Sequence, residues 1–301
     1  MIIDLLKKSV KITNDNIILA IPLILFMWII NFYSLFSKYT VDTIPEMILA
    51  TVTVLFMVGA FLAGWFYMIK KAVELSKKVF VLDSDRAKET LNLIKLIPTG
   101  IGKYFLSFVG MYSILFLIQV LVSLIVFSIG IHSIGTLDSA TVQQIQTFAL
   151  DQTKSSELAM VQFIDSLTPQ QIAFFGKWSL LFMAVSTTAF FIIMLWLPEI
   201  MYKSPNPFVA LWRAIKKLFK TFFKSLTVFA SMWIIGFILL FINTFAFLNP
   251  FTYLIMSIIL FYYTVYVMVL LFVYYDETFN NNLSVEENLT EPTVSDEEKK
   301  S

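Results

Sequence analysis

Six stretches of 20 or more residues, at 17–36, 47–69, 104–131, 178–201, 225–248 and 251–275, contain no charged side chain except Glu199 near the end of the fourth. Hydrocarbon offers a backbone amide no water, so a segment inside it must satisfy its hydrogen bonds as a helix or within a closed barrel. A helix needs about 20 apolar residues to cross roughly 30 Å of hydrocarbon. Barrel strands alternate polar and apolar positions over about 10 residues, whereas these stretches are continuously apolar. The expectation is an all-α polytopic membrane bundle of six transmembrane helices. Composition agrees, with 58% apolar and 14% charged residues and a mean hydropathy of +0.80. Soluble domains average about 45–50% apolar and about 25% charged.

The cations divide unevenly between the two sets of connections. One set carries Lys7, Lys8 and Lys11, then Lys70, Lys71, Lys77, Lys78, Arg86, Lys88, Lys95 and Lys103. It continues with Lys203, Arg213, Lys216, Lys217, Lys220, Lys224, Lys299 and Lys300, against only Lys38, Lys154 and Lys177 in the other set. Positive charge in short connections is retained on the cytoplasmic side. Both termini are therefore expected in the cytoplasm, with the protein in the plasma or inner membrane. The first apolar stretch is too long for a signal-peptide core and no small-residue cleavage site follows it, so it is expected to remain as a span. Residues 1–278 are expected to form the membrane domain. Residues 279–301, acidic and poor in large apolar side chains, are expected to be a disordered cytoplasmic tail. Asn282 and Asn288 match the glycosylation pattern, but a cytoplasmic tail does not meet that machinery.

The segment 207–224, PFVALWRAIKKLFKTFFK, carries the sharpest pattern between spans. Asn206 suits a helix cap and Pro207 a first helical position. Arg213, Lys216, Lys217, Lys220 and Lys224 recur at helical spacing, with Phe208, Leu211, Trp212, Ile215, Leu218, Phe219 and Phe222 mostly opposite. A basic face set against an aromatic-aliphatic face is the pattern of a helix lying in a membrane interface. These five cations are thus the candidate surface for anionic lipid headgroups or a membrane-protein partner. The competing expectation is that the apolar face packs on the bundle. Weaker basic segments at 2–12 and 84–97 precede the first and third spans, so the chain reads as three units of basic helix, outgoing span and returning span. Basic segments held against a membrane also argue against nucleic-acid binding.

Little in the sequence points to chemistry. Without cysteine there is no thiolate ligand or nucleophile, and the single histidine, His132, excludes His-pair metal sites. No cofactor is expected. The intramembrane polar candidates are Gln119, Asn243 and Glu199, and polar groups at membrane depth are the usual pointers to function. The amides read more readily as hydrogen-bonding glue between helices. Glu199, near a span end, is expected to reach water or to pair with Lys203 or Arg213. Gly59, Ala60, Ala63 and Gly64 form overlapping small-residue pairs suited to close helix packing, internal or between copies. Thr99-Gly-Ile-Gly-Lys103 lacks the spacing and strand context of a phosphate loop. The long connection 132–177 shows helical pieces at 141–150 and 157–167.

The alternation of basic helices with six spans, together with the ending TVYVMVLLFVYYDE at 264–277, resembles a group of prokaryotic membrane proteins. These include YciC-type inner-membrane proteins and the membrane domain attached to some glycerophosphodiester phosphodiesterases. The resemblance implies a six-span membrane domain and maps no functional residue. The phosphodiesterase domain has no counterpart among these residues, so its activity is not carried over. The expected function is a non-catalytic membrane protein that organises lipids or a partner complex. The alternative is a carrier for a lipid or amphipathic small molecule.

Overall fold

In the computed structural model, which describes residues 2–37, 40–41, 43–136, 139, 141–143, 163, 165–246 and 249–280, local signals set the helix ends. Helices α1 (Ile2–Asp15), α2 (Ala20–Ser37), α3 (Ile44–Leu75), α4 (Asp83–Asn92) and α5 (Ile97–Ser133) come first. They are followed by α6 (Pro169–Ile193), α7 (Trp196–Tyr202), α8 (Pro207–Lys220), α9 (Phe222–Ala246) and α10 (Pro250–Tyr275). Short 3₁₀ turns at Ile17–Leu19 and Leu93–Leu96 lead into α2 and α5, and a π turn, Asp276–Asn280, follows α10. Thr43 and Glu46 form a reciprocal capping box at the start of α3, and the side chain of Asn249 accepts from Phe251 N at 2.8 Å to start α10.

Among the described residues, six helices are long and apolar enough to cross a membrane: Ile17–Ser37, Ile44–Leu75, Ser84–Ser133, Pro169–Tyr202, Phe222–Ala246 and Phe251–Asn280. The chain is a multi-pass, all-α membrane protein. The helices outrun the apolar stretches, because a helix continues until its hydrogen bonds fail and not where hydropathy falls. The fourth starts at Pro169, ahead of the expected 178, and breaks between α6 and α7. Pro198 explains the break: it has no N–H to give to the carbonyl of Met194. The helical pieces expected at 141–150 and 157–167 lie largely outside the described residues, and the acidic tail from 281 lies wholly outside them. Residues 279–280, expected to open that tail, belong to the π turn.

The chain divides into two compact units. The smaller takes its described residues from 113–192, and in it the α5–α6 approach is close enough that a Cβ on Gly130 would collide with the ring of Trp178. Gln171 caps α6 with Thr168 and donates to Thr141 Oγ1 at 2.6 Å.

The larger unit takes its described residues from 2–112 and 193–280. Its core lies at one end of its helices: the start of α2, the second half of α3, the 104–111 part of α5, most of α7, the start of α9 and the second half of α10. These are the ends that adjoin the basic connections. The opposite halves of α2, α9 and α10 leave Trp28, Phe32, Phe237, Phe241, Phe251 and Leu254 exposed. Small residues let α3 and α5 approach closely. A Cβ on Gly64 would lie 2.7 Å from Ile97 Cγ2, and one on Gly100 would lie 2.7 Å from Tyr67 Cβ and 2.8 Å from the carbonyl of Ala63. The small-residue patch of α3 is thus used for internal packing, and Gly100 of the Thr99–Lys103 run is its complement.

Candidate functional site

The basic segment at 207–224 is two helices. Asn206 accepts from Phe208 N at 3.0 Å and Val209 N at 3.2 Å, and Pro207 follows it as expected. The helix then stops at Thr221, whose hydroxyl donates back to the carbonyl of Lys217 at 3.0 Å. α9 begins at Phe222, so Lys224 belongs to α9, where it is half-buried.

α8 presents three faces. Ala210, Ala214 and Leu218 are fully buried, and their small size lets the helix sit close to the core. Trp196 Nε1 holds its first turn by donating to the carbonyl of Pro207 at 2.8 Å. The large aromatic residues do not join this stripe: Phe208, Trp212 and Phe219 are 67%, 61% and 63% exposed. Arg213, Lys216 and Lys220 are exposed beside them, and Lys216 Nζ stands 5.0 Å from the centre of the Trp212 ring. The packing expectation is therefore met by Ala210, Ala214 and Leu218, while an aromatic flank and a basic flank face outward together.

Lys217 departs from the surface role expected of it. It donates to Glu199 Oε2 at 2.6 Å and to the hydroxyl oxygen of Tyr275 at 2.5 Å. Tyr275 in turn donates to the same carboxylate oxygen at 2.5 Å. The ammonium also lies 4.7 Å from the Tyr275 ring centre and 5.3 Å from that of Phe279. Glu199 is 0% exposed, so its expected contact with water, Lys203 or Arg213 is corrected: its partners are Lys217 and Tyr275. The reason is the break before α7, which turns Glu199 toward α8 and α10. Its other oxygen, Oε1, has no hydrogen-bond partner among the described residues.

Polar clamps from neighbouring elements secure this hub. Lys70 and Tyr104 donate to the carbonyl of Met201 at 2.8 and 3.2 Å, closing the C-terminal end of α7. The Tyr202 ring stacks on Tyr275 at 5.4 Å. Past α10, Asp276 pairs with Lys77 and Glu277 with Lys8, each at 2.5 Å. The sequence reading missed these tyrosines and acids. Its available signal was the stripe Ala210, Ala214, Lys217, Leu218, whose spacing places one lysine among small packing residues.

The other candidates are not gathered into this site. Gln119 is exposed on α5 in the smaller unit, and Asn243 is half-buried on α9. His132 is exposed, with Nδ1 2.7 Å from the carbonyl of Ser128. Thr188 and Thr264 bond back to their own helices, as hydroxyls in apolar helices do.

No protein-family model, no curated protein and no solved structure matches the chain. Of the expected resemblance, the described residues bear the six candidate membrane-spanning helices, and no family or homologue is identified.

Proposed function

We propose that this multi-pass membrane protein is a non-catalytic organiser of anionic lipid, with α8 lying in the headgroup region of the leaflet that faces its basic connections. The supporting observation is the outward pairing on α8 of exposed Phe208, Trp212 and Phe219 with exposed Arg213, Lys216 and Lys220, on a helix fixed from beneath by Lys217. Aromatic rings favour the acyl–headgroup boundary, and each basic residue near an anionic surface contributes about 1 kcal/mol. By the charge rule that leaflet is the cytoplasmic one. The test is lipid mass spectrometry of the protein in native-membrane nanodiscs, against an unrelated six-span control. The triple variant R213Q/K216Q/K220Q should lose most of the anionic-lipid enrichment shown by the unmodified chain. Enrichment unchanged by the triple variant would end this reading.

A second reading, a carrier for an apolar or amphipathic molecule, is favoured by one feature. A groove of about 330 Å³ between α9 and α10 is walled by Phe229, Met232, Trp233, Phe237, Tyr263 and Val267. Such a carrier would give saturable uptake into proteoliposomes that falls when Trp233 is replaced by Ala. Leak linear in solute would exclude it.

A further inference from the structure

A second basic feature lies away from α8 and has the form of a pocket. Its walls come from the end of α1, the end of α3 with the connection 76–82, and the start of α4. It encloses about 290 Å³, with Lys8, Lys11, Asp15, Lys78, Phe80 and Arg86 among its lining residues. Clefts for drug-sized ligands run about 300–1,000 Å³, so this one is scaled to a small polar group.

The charges in the pocket are unbalanced. Asp15 is occupied by an ion pair with Arg86, and Lys8 is answered from outside the lining by Glu277 at 2.5 Å. Lys11 and Lys78 have no ion-pair partner among the described residues, and both are exposed. Two ammonium groups therefore share one recess with no anion assigned to them. Oxygen-rich anions are the ligands such groups recognise, and a tetrahedral phosphate offers an oxygen to each.

The position of the pocket sets its depth. Asp15 stands just ahead of the span that opens at Ile17, and Leu75, which lines the pocket, closes the span Ile44–Leu75. The recess thus lies past the apolar stretches that open at 17 and close at 69, on the headgroup side of both spans. Beside Phe80, the connection holds Val79 and Val81 out at 95% and 96% exposure, flanked by Lys77 and Lys78. Apolar side chains presented next to lysines at that level suit a lipid surface. Basic pockets between spans on the cytoplasmic side are known to take anionic headgroups.

We infer that this pocket is a phosphate-binding site, held by Lys11 and Lys78, and that an anionic lipid headgroup supplies the phosphate. The site is separate from α8 and would bind one headgroup saturably, unlike the diffuse attraction of an interfacial helix.

The test uses the full chain in an uncharged detergent, titrated calorimetrically with dioctanoyl phosphatidylglycerol, inorganic phosphate and dioctanoyl phosphatidylcholine. Saturable phosphatidylglycerol binding should weaken about fivefold in K11Q or K78Q and about 30-fold in the double variant. K78R should retain it, and R213Q/K216Q/K220Q should leave it in place. Inorganic phosphate binding as tightly, with the same dependence on both lysines, would uphold the site and make free phosphate its ligand. Absence of saturable binding by either probe, or binding unchanged in the double lysine variant, would overturn the inference.

Discussion

Taking a carboxylate wholly out of water costs several kcal/mol even after the protein relaxes, and at Glu199 one lysine and one phenol offset that cost. The energetics of such a pair are asymmetric. Removing one partner strands the other charge and costs about 3–5 kcal/mol, whereas replacing both with apolar groups can be close to neutral. Thermal unfolding in detergent should therefore show Lys217→Met and Glu199→Leu each strongly destabilised, with the double variant recovering much of the loss. Lys216→Gln, on the exposed side of the same helix, should shift stability by no more than about 0.5 kcal/mol. Equal effects at Lys216 and Lys217 would contradict the buried anchor. At this scale the sequence was least legible. Glu199 stood out as an acid in an apolar stretch, but its partners lie 18 and 76 residues away, beyond the reach of helical spacing.

Among the elements, the α3–α5 contact gives a control within a single turn. A Cβ on Gly100 would meet the backbone carbonyl of Ala63 and the Cβ of Tyr67, neither of which can swing aside, whereas one on Gly102 would meet nothing within 4 Å. Gly100→Ala should destabilise by about 1–3 kcal/mol through overpacking. Gly102→Ala should be neutral or stabilising by up to about 1 kcal/mol, because Ala loses less backbone entropy in a helix than Gly. The same thermal measurement checks both. The small-residue patch on α3 was readable from its four-residue spacing, but its partner was not, since small pairs serve internal and intermolecular packing alike. α8 shows the same division. Its cap, proline and two-sided character were legible, while the contact of its end residue Thr221 with Tyr274 of α10 and the inward turn of Lys217 toward Glu199 of α7 were not.

For the whole molecule, six spans followed from length and hydropathy because the bilayer imposes so strict a requirement on the backbone. Which face of each span turns inward did not follow, since helices apolar on all sides carry no periodic signal. Within the larger unit, packing is concentrated at the helix ends next to the basic connections, and aromatic side chains stand exposed on the opposite halves of α2, α9 and α10. The proposed function has those exposed halves meet acyl chains and the packed polar hub lie toward the headgroups, with α8 at the boundary between them. This placement is the central claim, and the chain's lack of cysteine makes it directly measurable. Single cysteines introduced along 207–220, spin-labelled and read by electron paramagnetic resonance in nanodiscs, report oxygen access for lipid and nickel-chelate access for water. The account predicts oxygen maxima at positions 208, 212 and 219 and nickel maxima at 213, 216 and 220. Equal nickel access at both sets of positions would place α8 in bulk water and contradict it.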